Sequence, residues 1–249
     1  MLDGALIPRL RRARRDPALA VLEGFHPLKH AIRFGAEIEL VLTPDAGGLD
    51  ALALRLAPDV RGRVGELARE VSPEAFAELV PLPPSTGVVS LARRPAVDVA
   101  AVLGSSAPSP VVLLEDPRDL GNLGACIRVS AAADAAAVLS TGSHDPWHPD
   151  AVRGAAGLHF ALPVAQISSA AALGGPRPLL AIDPDGEELE PARLPPHAVL
   201  AFGSEREGLG EDVLARADQR LRIPMRAGVS SLNLATSVAA VLFAWRLAR

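Results

Sequence analysis

Short apolar runs bounded by Gly or Pro alternate along this chain with segments whose apolar residues recur at helical spacing. Before residue 80 the pattern predicts a strand in ALAVLEG, a helix over His26 to Phe34, a strand in IELVLT and two leucine- and alanine-rich helical stretches. Proline and small residues then accumulate from Pro81 to Ala96 and again from Gly104 to Pro110, where SSAPSP reads as a connector. From Val111 the order becomes strand, glycine turn, helix, repeated. VVLLE leads to a helix from about Asn122 to Ala133, AAVLS to one near Pro149 to Ala156, and FALPV, PLLAID, AVLAFG and RLRIP add further strands. Strands alternating with helices predict an α/β fold with a mostly parallel sheet covered on both faces. The last segment, Leu232 to Arg249, puts Leu234, Val238, Val241, Leu242 and Trp245 on one helical face. The expected division is a first domain over 1–100, a linker over 101–110 and a second domain over 111–249, with no internal repeat.

Composition narrows the field. The 249 residues are 49% apolar and 22% charged, enough to bury one large core or two modest ones. No run reaches the ~18 apolar residues a bilayer crossing needs, so no membrane association is expected. The single cysteine, Cys126, leaves no disulfide or cysteine-based zinc site and fits a reducing cytoplasm. A net charge of −4 argues against nonspecific coating of nucleic acid. The charge is uneven, however: residues 1–100 hold equal numbers of basic and acidic groups, and the excess acid lies beyond them. Arg9, Arg11, Arg12, Arg14 and Arg15 crowd into one short stretch, either a phosphate-binding feature or a solvated basic arm.

Ligands of open parallel sheets collect beyond the carboxyl ends of the strands, which directs attention to the loops after VVLLE, AVLAFG and RLRIP. The first, EDPRDLGNLGACIR, sets Gly121 and Gly124 around Asn122 where a helix begins, with Arg128 within two turns. G-x-x-G is not the dinucleotide fingerprint, and G-K-[ST] is absent from the chain. The second loop, FGSEREGLGEDV, gathers Gly203, Gly208 and Gly210 around Glu205 and Glu207, either a backbone passing close to a ligand or a flexible turn. The third, IPMRAGVSSLNLATS, runs into the last helix, which Ser230 or Ser231 is placed to cap. His26 with His30, and His144 with His148, have metal-pair spacing but no companion ligand, so no metal is expected. Cys126 reads as a packed side chain.

In this order and spacing the three loops resemble the three motifs of the SpoU/TrmH family of SPOUT RNA methyltransferases. DPRDLGNLGACIR is similar to the first, LAFGSEREGLG to the second and IPMRAGVSSLNLATSVAAVLFAWRLAR to the third, and DPWHPDAVRGAAG to the segment between the first two. The resemblance covers about residues 110–249. The earlier VLEGFHPLKHAIRFG is similar to the small α/β, ribosomal-protein-like RNA-binding domain that precedes the catalytic domain in many members. Two positions depart from the pattern: Ala155 stands where a serine is common, and Val129 where a threonine is.

The resemblance implies a carboxyl-terminal trefoil knot that holds S-adenosylmethionine through Gly203, Ile223, Met225 and Leu232, and methyl transfer to a ribose 2′-hydroxyl of structured RNA, ribosomal RNA before transfer RNA. It assigns the reacting end to Arg128, Asn122, Glu205, Ser231 and Asn233, with Arg128 either the proton acceptor or a clamp on the neighbouring phosphate. It implies a homodimer, for which the Leu242 and Trp245 face is one candidate contact and core packing the other. RNA would be gripped by Arg11, Arg12, Arg14, Arg15, Lys29 and Arg33, with His26 and His30 beside them, and by Arg153. The contrasting class is an RNA-binding or ribosome-assembly protein that kept the fold without catalysis.

Overall fold

The computed structural model describes residues 3–80 and 82–249; Met1, Leu2 and Pro81 lie outside them. The chain divides into two compact units, one of Met1–Ala96 with Trp147–Ala161, the other of Val97–Pro146 with Leu162–Arg249.

In the first unit, strands β1 (Leu19–Glu23), β2 (Ile38–Thr43), β3 (Ala68–Glu70) and β4 (Val89–Arg93) form a mixed sheet in the order β1-β4-β2-β3. Strand β4 runs antiparallel to both neighbours and β3 parallel to β2. Helices α1 (Asp3–Ala13), α2 (Phe25–Arg33), α3 (Ala46–Leu56), α4 (Arg61–Leu67) and α5 (Pro73–Leu79) cover it. Alternation along β2 sends Leu40 and Leu42 to one face, against Leu10 of α1 and Phe76 and Leu79 of α5. Val41 faces the other way, against Phe25, Leu28, Leu49 and Val64. Residues 82–96, where proline and small residues accumulate and no element was expected, contain a central strand; VSLAR is short and framed by Pro and Gly, and its pairing partners are distant in sequence. The arginine-rich start is the helix α1 and no extended arm, with Arg11 and Arg12 in its last turn, where they complement the helix dipole.

The second unit contains β5 (Val111–Leu114), β6 (Ala137–Ser140), β7 (Val164–Gln166), β8 (Leu179–Glu188), β9 (Val199–Phe202) and β10 (Gln219–Arg222). They form an all-parallel sheet in the order β10-β8-β9-β5-β6-β7. Every residue of β5 is fully buried, the mark of a strand covered on both faces. Around this sheet lie α6 (Val99–Gly104) and α7 (Leu120–Ala132). Next in the chain comes α8 (Pro149–Gly154), which belongs to the first unit, and then α9 (Glu211–Arg216) and α10 (Leu234–Leu247) of the second. Helix α10 packs on α7 and β9 through its buried face. Leu242 and Trp245 are thus core residues and not a partner contact, and the exposed apolar side chains of α10 are Phe243 and Leu247. Its cap is Asn233, whose Oδ1 accepts from Ala235 N and Thr236 N; neither Ser230 nor Ser231 fills that role. Among the described residues no helix is long and apolar enough to cross a membrane.

The segment Trp147–Ala161 joins the first unit for reasons the chain order hides. His30 Nδ1 donates to Ala156 O at 2.7 Å. Gly157 has φ +76°, and a Cβ there would stand 2.5 Å from Pro27 Cα, so backbone meets backbone. Glu23, only 7% exposed, accepts from Arg14 and, at 3.0 Å, from Arg153, so two guanidinium groups offset one buried carboxylate. The Trp147 ring lies 4.9 Å from that of His159 and 5.1 Å from that of Phe160.

Burial first, then repulsion from Lys29, Arg33 and His26, pushes His30 below its ordinary value, against the opposing pull of Ala156 O. The folded state thus disfavours protonation, and stability falls as pH drops through the ordinary imidazole range near 6.5. Thermal melts from pH 7.5 to 5.5 should show this loss, and His30→Gln, which still donates to Ala156 O, should flatten it. An unchanged pH slope in that variant would refute the assignment.

Candidate functional site

Three loops meet beyond the carboxyl ends of the parallel strands, and each is shaped by its own sequence. After β5, Asp119 caps α7 by accepting from Asn122 N at 2.7 Å, fixing where Asn122 begins the helix. After β9, the chain doubles back so that Ser204 and Gly208 exchange backbone hydrogen bonds at 3.0 and 3.1 Å. Gly203 sits under that turn, and a Cβ there would lie 2.0 Å from the Gly208 carbonyl carbon, closer than any side chain tolerates. After β10, the chain reaches Asn233 at the head of α10.

One run of side-chain hydrogen bonds ties the loops together. Asn233 Nδ2 donates to Asn122 Oδ1 at 3.0 Å, and Asn122 Nδ2 donates to Glu205 Oε1 at 2.7 Å. Glu205 Oε2 also accepts from Arg118 N at 3.4 Å, and the Arg118 guanidinium lies 2.7 Å from Asp116 and 3.7 Å from Glu207. Glu115 Oε2 accepts from Gly210 N at 2.7 Å, pinning the far end of the glycine loop.

Between the second and third loops opens a cleft of about 510 Å³, within the size range of small-molecule sites. Gly203, Ile223, Met225 and Leu232 line it, together with Glu205 and Ser231. Asn122 and Asn233 are outside the lining and reach it through Glu205. Arg128 is exposed on α7 and, among the described residues, has no hydrogen-bond or ion-pair partner. Cys126 is fully buried, and burial followed by the nearby Glu205 charge pushes its thiol far up, so it is packed and unreactive.

Asp183, Arg206, Glu115 and Arg118 also belong to the site, although no local sequence signal marks them. Asp183 lies inside β8, just past the rung where Ile182 pairs with Phe202, and so borders the loop that follows β9. Glu115 and Arg118 lie inside the first motif but act on a loop far away in sequence, which no local pattern reveals.

The residues expected to grip RNA all fall in the first unit and differ in their freedom. Arg14 and Arg153 share Glu23, and Arg153 also reaches Asp150. Arg33 pairs with Asp59 through two bonds of 2.8 and 2.7 Å. Arg11, Arg12 and Arg15 are exposed and have no side-chain partner among the described residues, and Lys29 is half-buried. Ala155, where the resemblance leads one to expect serine, is fully buried in the same unit. No group of His, Cys, Asp or Glu among the described residues is arranged to hold a metal ion.

A parallel α/β sheet with a polar-bridged cleft at its carboxyl edge defines a small-ligand site of the open-sheet class. The profile of the SpoU rRNA Methylase family matches residues 109–243, and the chain belongs to that family. It is 30% identical to a 23S rRNA (adenosine(1067)-2′-O)-methyltransferase of Streptomyces laurentii over 93% of this chain and 87% of that one. A solved RNA 2′-O ribose methyltransferase superposes with a TM-score of 0.72 at 29% identity, covering 96% of both chains. The SpoU methyltransferase AviRb of Streptomyces viridochromogenes, solved with AdoMet, shares the fold at a TM-score of 0.75 and 23% identity, over 98% of this chain and 95% of that one.

Glu115→Ala should weaken cofactor affinity by about tenfold, since a hydrogen bond to a charged group contributes about 1.5–3 kcal/mol. Glu115→Gln, which still accepts from Gly210 N, should stay near wild type. Calorimetric titration with S-adenosylmethionine distinguishes the two, and equal losses in both variants would refute the latch. Gly203→Ala should abolish saturable binding in the same titration, because its Cβ has nowhere to go.

Proposed function

We propose that this protein transfers a methyl group from S-adenosylmethionine to a ribose 2′-hydroxyl of ribosomal RNA. The observation that carries the reading is the Asn233–Asn122–Glu205 run beside the glycine-walled cleft, in a chain of the SpoU family. The named activity of the Streptomyces laurentii relative, and the AdoMet held by AviRb, point the same way.

The donor set suits the cofactor. Gly203 leaves main chain bare on one wall, Ile223 and Leu232 offer apolar surface to a purine, and Asp183, Glu205 and Glu207 outnumber Arg206 among the charged lining groups. Bound S-adenosylmethionine supplies the electrophilic methyl carbon. Around it, Glu205 fixes Asn122, and Asn122 fixes Asn233 at the head of α10, so the polar rim of the cleft is set before RNA arrives. Ser231 lines the same cleft. Arg128 is exposed and has no carboxylate partner among the described residues, which leaves its guanidinium available to an RNA phosphate. We assign it the clamp on the phosphate beside the target ribose and not the base, because a guanidinium stays protonated at neutral pH. Alignment of the hydroxyl with the methyl carbon is then the principal catalytic device, and as the oxygen–carbon bond forms and the sulfur–carbon bond breaks the hydroxyl proton passes to solvent.

In this reading the loops after β9 and β10 form the trefoil knot of the fold family, a rare departure from unthreaded topology. The first unit is the RNA-binding module, with Arg11, Arg12 and Arg15 as its available phosphate contacts and Arg14, Arg33 and Arg153 kept in ion pairs. The working form is a homodimer whose exposed α10 side chains, Phe243 and Leu247, are available for the contact.

Incubation with methyl-labelled S-adenosylmethionine and ribosomal RNA lacking its ribose methyl groups should label one 2′-oxygen, and mapping should place it. Arg128→Ala should abolish labelling while changing cofactor affinity less than about threefold, under 1 kcal/mol. Full turnover in that variant would remove the clamp, and label found only in transfer RNA would move the substrate.

A further inference from the structure

The cleft contains a carboxylate that its neighbours leave unbalanced. Among the described residues three acidic side chains line it, and two of them are engaged. Glu205 accepts from Asn122 Nδ2 and from Arg118 N, and Glu207 lies 3.7 Å from the Arg118 guanidinium. Asp183 differs. Its Oδ1 accepts only from Asp185 N at 2.9 Å, a bond within its own turn, and among the described residues no cation pairs with it. It is half-buried, between Ile182 and Pro184, both of which also line the cleft. Its position is fixed: Ile182 pairs with Phe202, so Asp183 follows the rung beside Gly203. A half-buried carboxylate with one local bond and no counter-charge, walled by apolar groups, is the arrangement that attracts a cation from a ligand.

The ligand proposed above comes in two forms that differ by one charge. S-adenosylmethionine carries a sulfonium, and the product left after methyl transfer, S-adenosylhomocysteine, has a neutral thioether in its place. We infer that Asp183 is a specificity-determining residue that favours the methylated, cationic cofactor over its demethylated product. This inference rests on the methyltransferase reading of the same cleft. Its chemistry is electrostatic: while the sulfonium is present the carboxylate is compensated, and once the methyl group has left the carboxylate is again unbalanced. Loss of that attraction helps the product depart. Arg206, the one cation lining the cleft among the described residues, forms no ion pair with Asp183 and remains available to the carboxylate end of either cofactor form.

The test uses the full chain and measures binding. Calorimetric titrations with S-adenosylmethionine and with S-adenosylhomocysteine give a ratio of affinities for the wild type and for Asp183→Asn, an isosteric change that removes only the charge. The variant should bind S-adenosylmethionine about fivefold more weakly, as expected for a partly exposed charge pair, and S-adenosylhomocysteine within about twofold of wild type. A second measurement needs no variant: raising salt should weaken wild-type binding of S-adenosylmethionine more steeply than that of S-adenosylhomocysteine. Equal weakening of both ligands in the variant, or equal salt slopes in the wild type, would overturn the inference while leaving the methyltransferase reading intact. A wild-type protein with no saturable site for either ligand would overturn both.

Discussion

The arrangement of the cleft depends on a direction imposed by one carboxylate. An ionised Glu205 accepts hydrogen bonds and donates none, so Asn122 must turn its Nδ2 toward it. That leaves Asn122 Oδ1 facing the other way, where only a donor is acceptable, and Asn233 supplies its Nδ2. Asn233 Oδ1 is then the atom left to cap α10, and it accepts from two backbone N–H groups there. Each amide is oriented by the one before it, and the run ends in a helix that packs on α7 and β9. The third loop is thus held both by its hydrophobic helix and by a polar relay that begins in the second loop.

The relay borders a cleft lined by backbone, apolar groups, carboxylates and Arg206. Arg128 is exposed on the helix that carries Asn122 and has no ion-pair partner among the described residues. The first loop fixes the second: Glu115, Arg118 and Asn122 all reach it, each at a different point.

Much of this was legible in the sequence, for identifiable reasons. The buried strands of the parallel sheet read correctly because they are apolar on both faces, and the three loops stood out because glycine and polar residues interrupt that pattern. Strand β4 did not, since its assignment depends on partners in β1 and β2 that no local window contains. The expected phosphate contacts were chosen by residue type and clustering, but Arg14, Arg33 and Arg153 have acidic partners at sequence distances of 9, 26 and 130, the last with the same Glu23 as Arg14. Asp183 was overlooked for a different reason. Its strand continues past it to Glu188, so it lacks the glycine-rich loop that advertises a ligand site.

The excursion of Trp147–Ala161 from one unit into the other has a consequence for how the protein is made. The first ninety-six residues cannot complete their unit as they leave the ribosome, because the acceptor for His30 and the second guanidinium for Glu23 are encoded after β5 and β6. Synthesis has passed the first motif before the amino-terminal sheet receives its last pieces. Neither compact unit is therefore a contiguous stretch of the chain, and the amino-terminal one is finished only by residues made after two strands of the other.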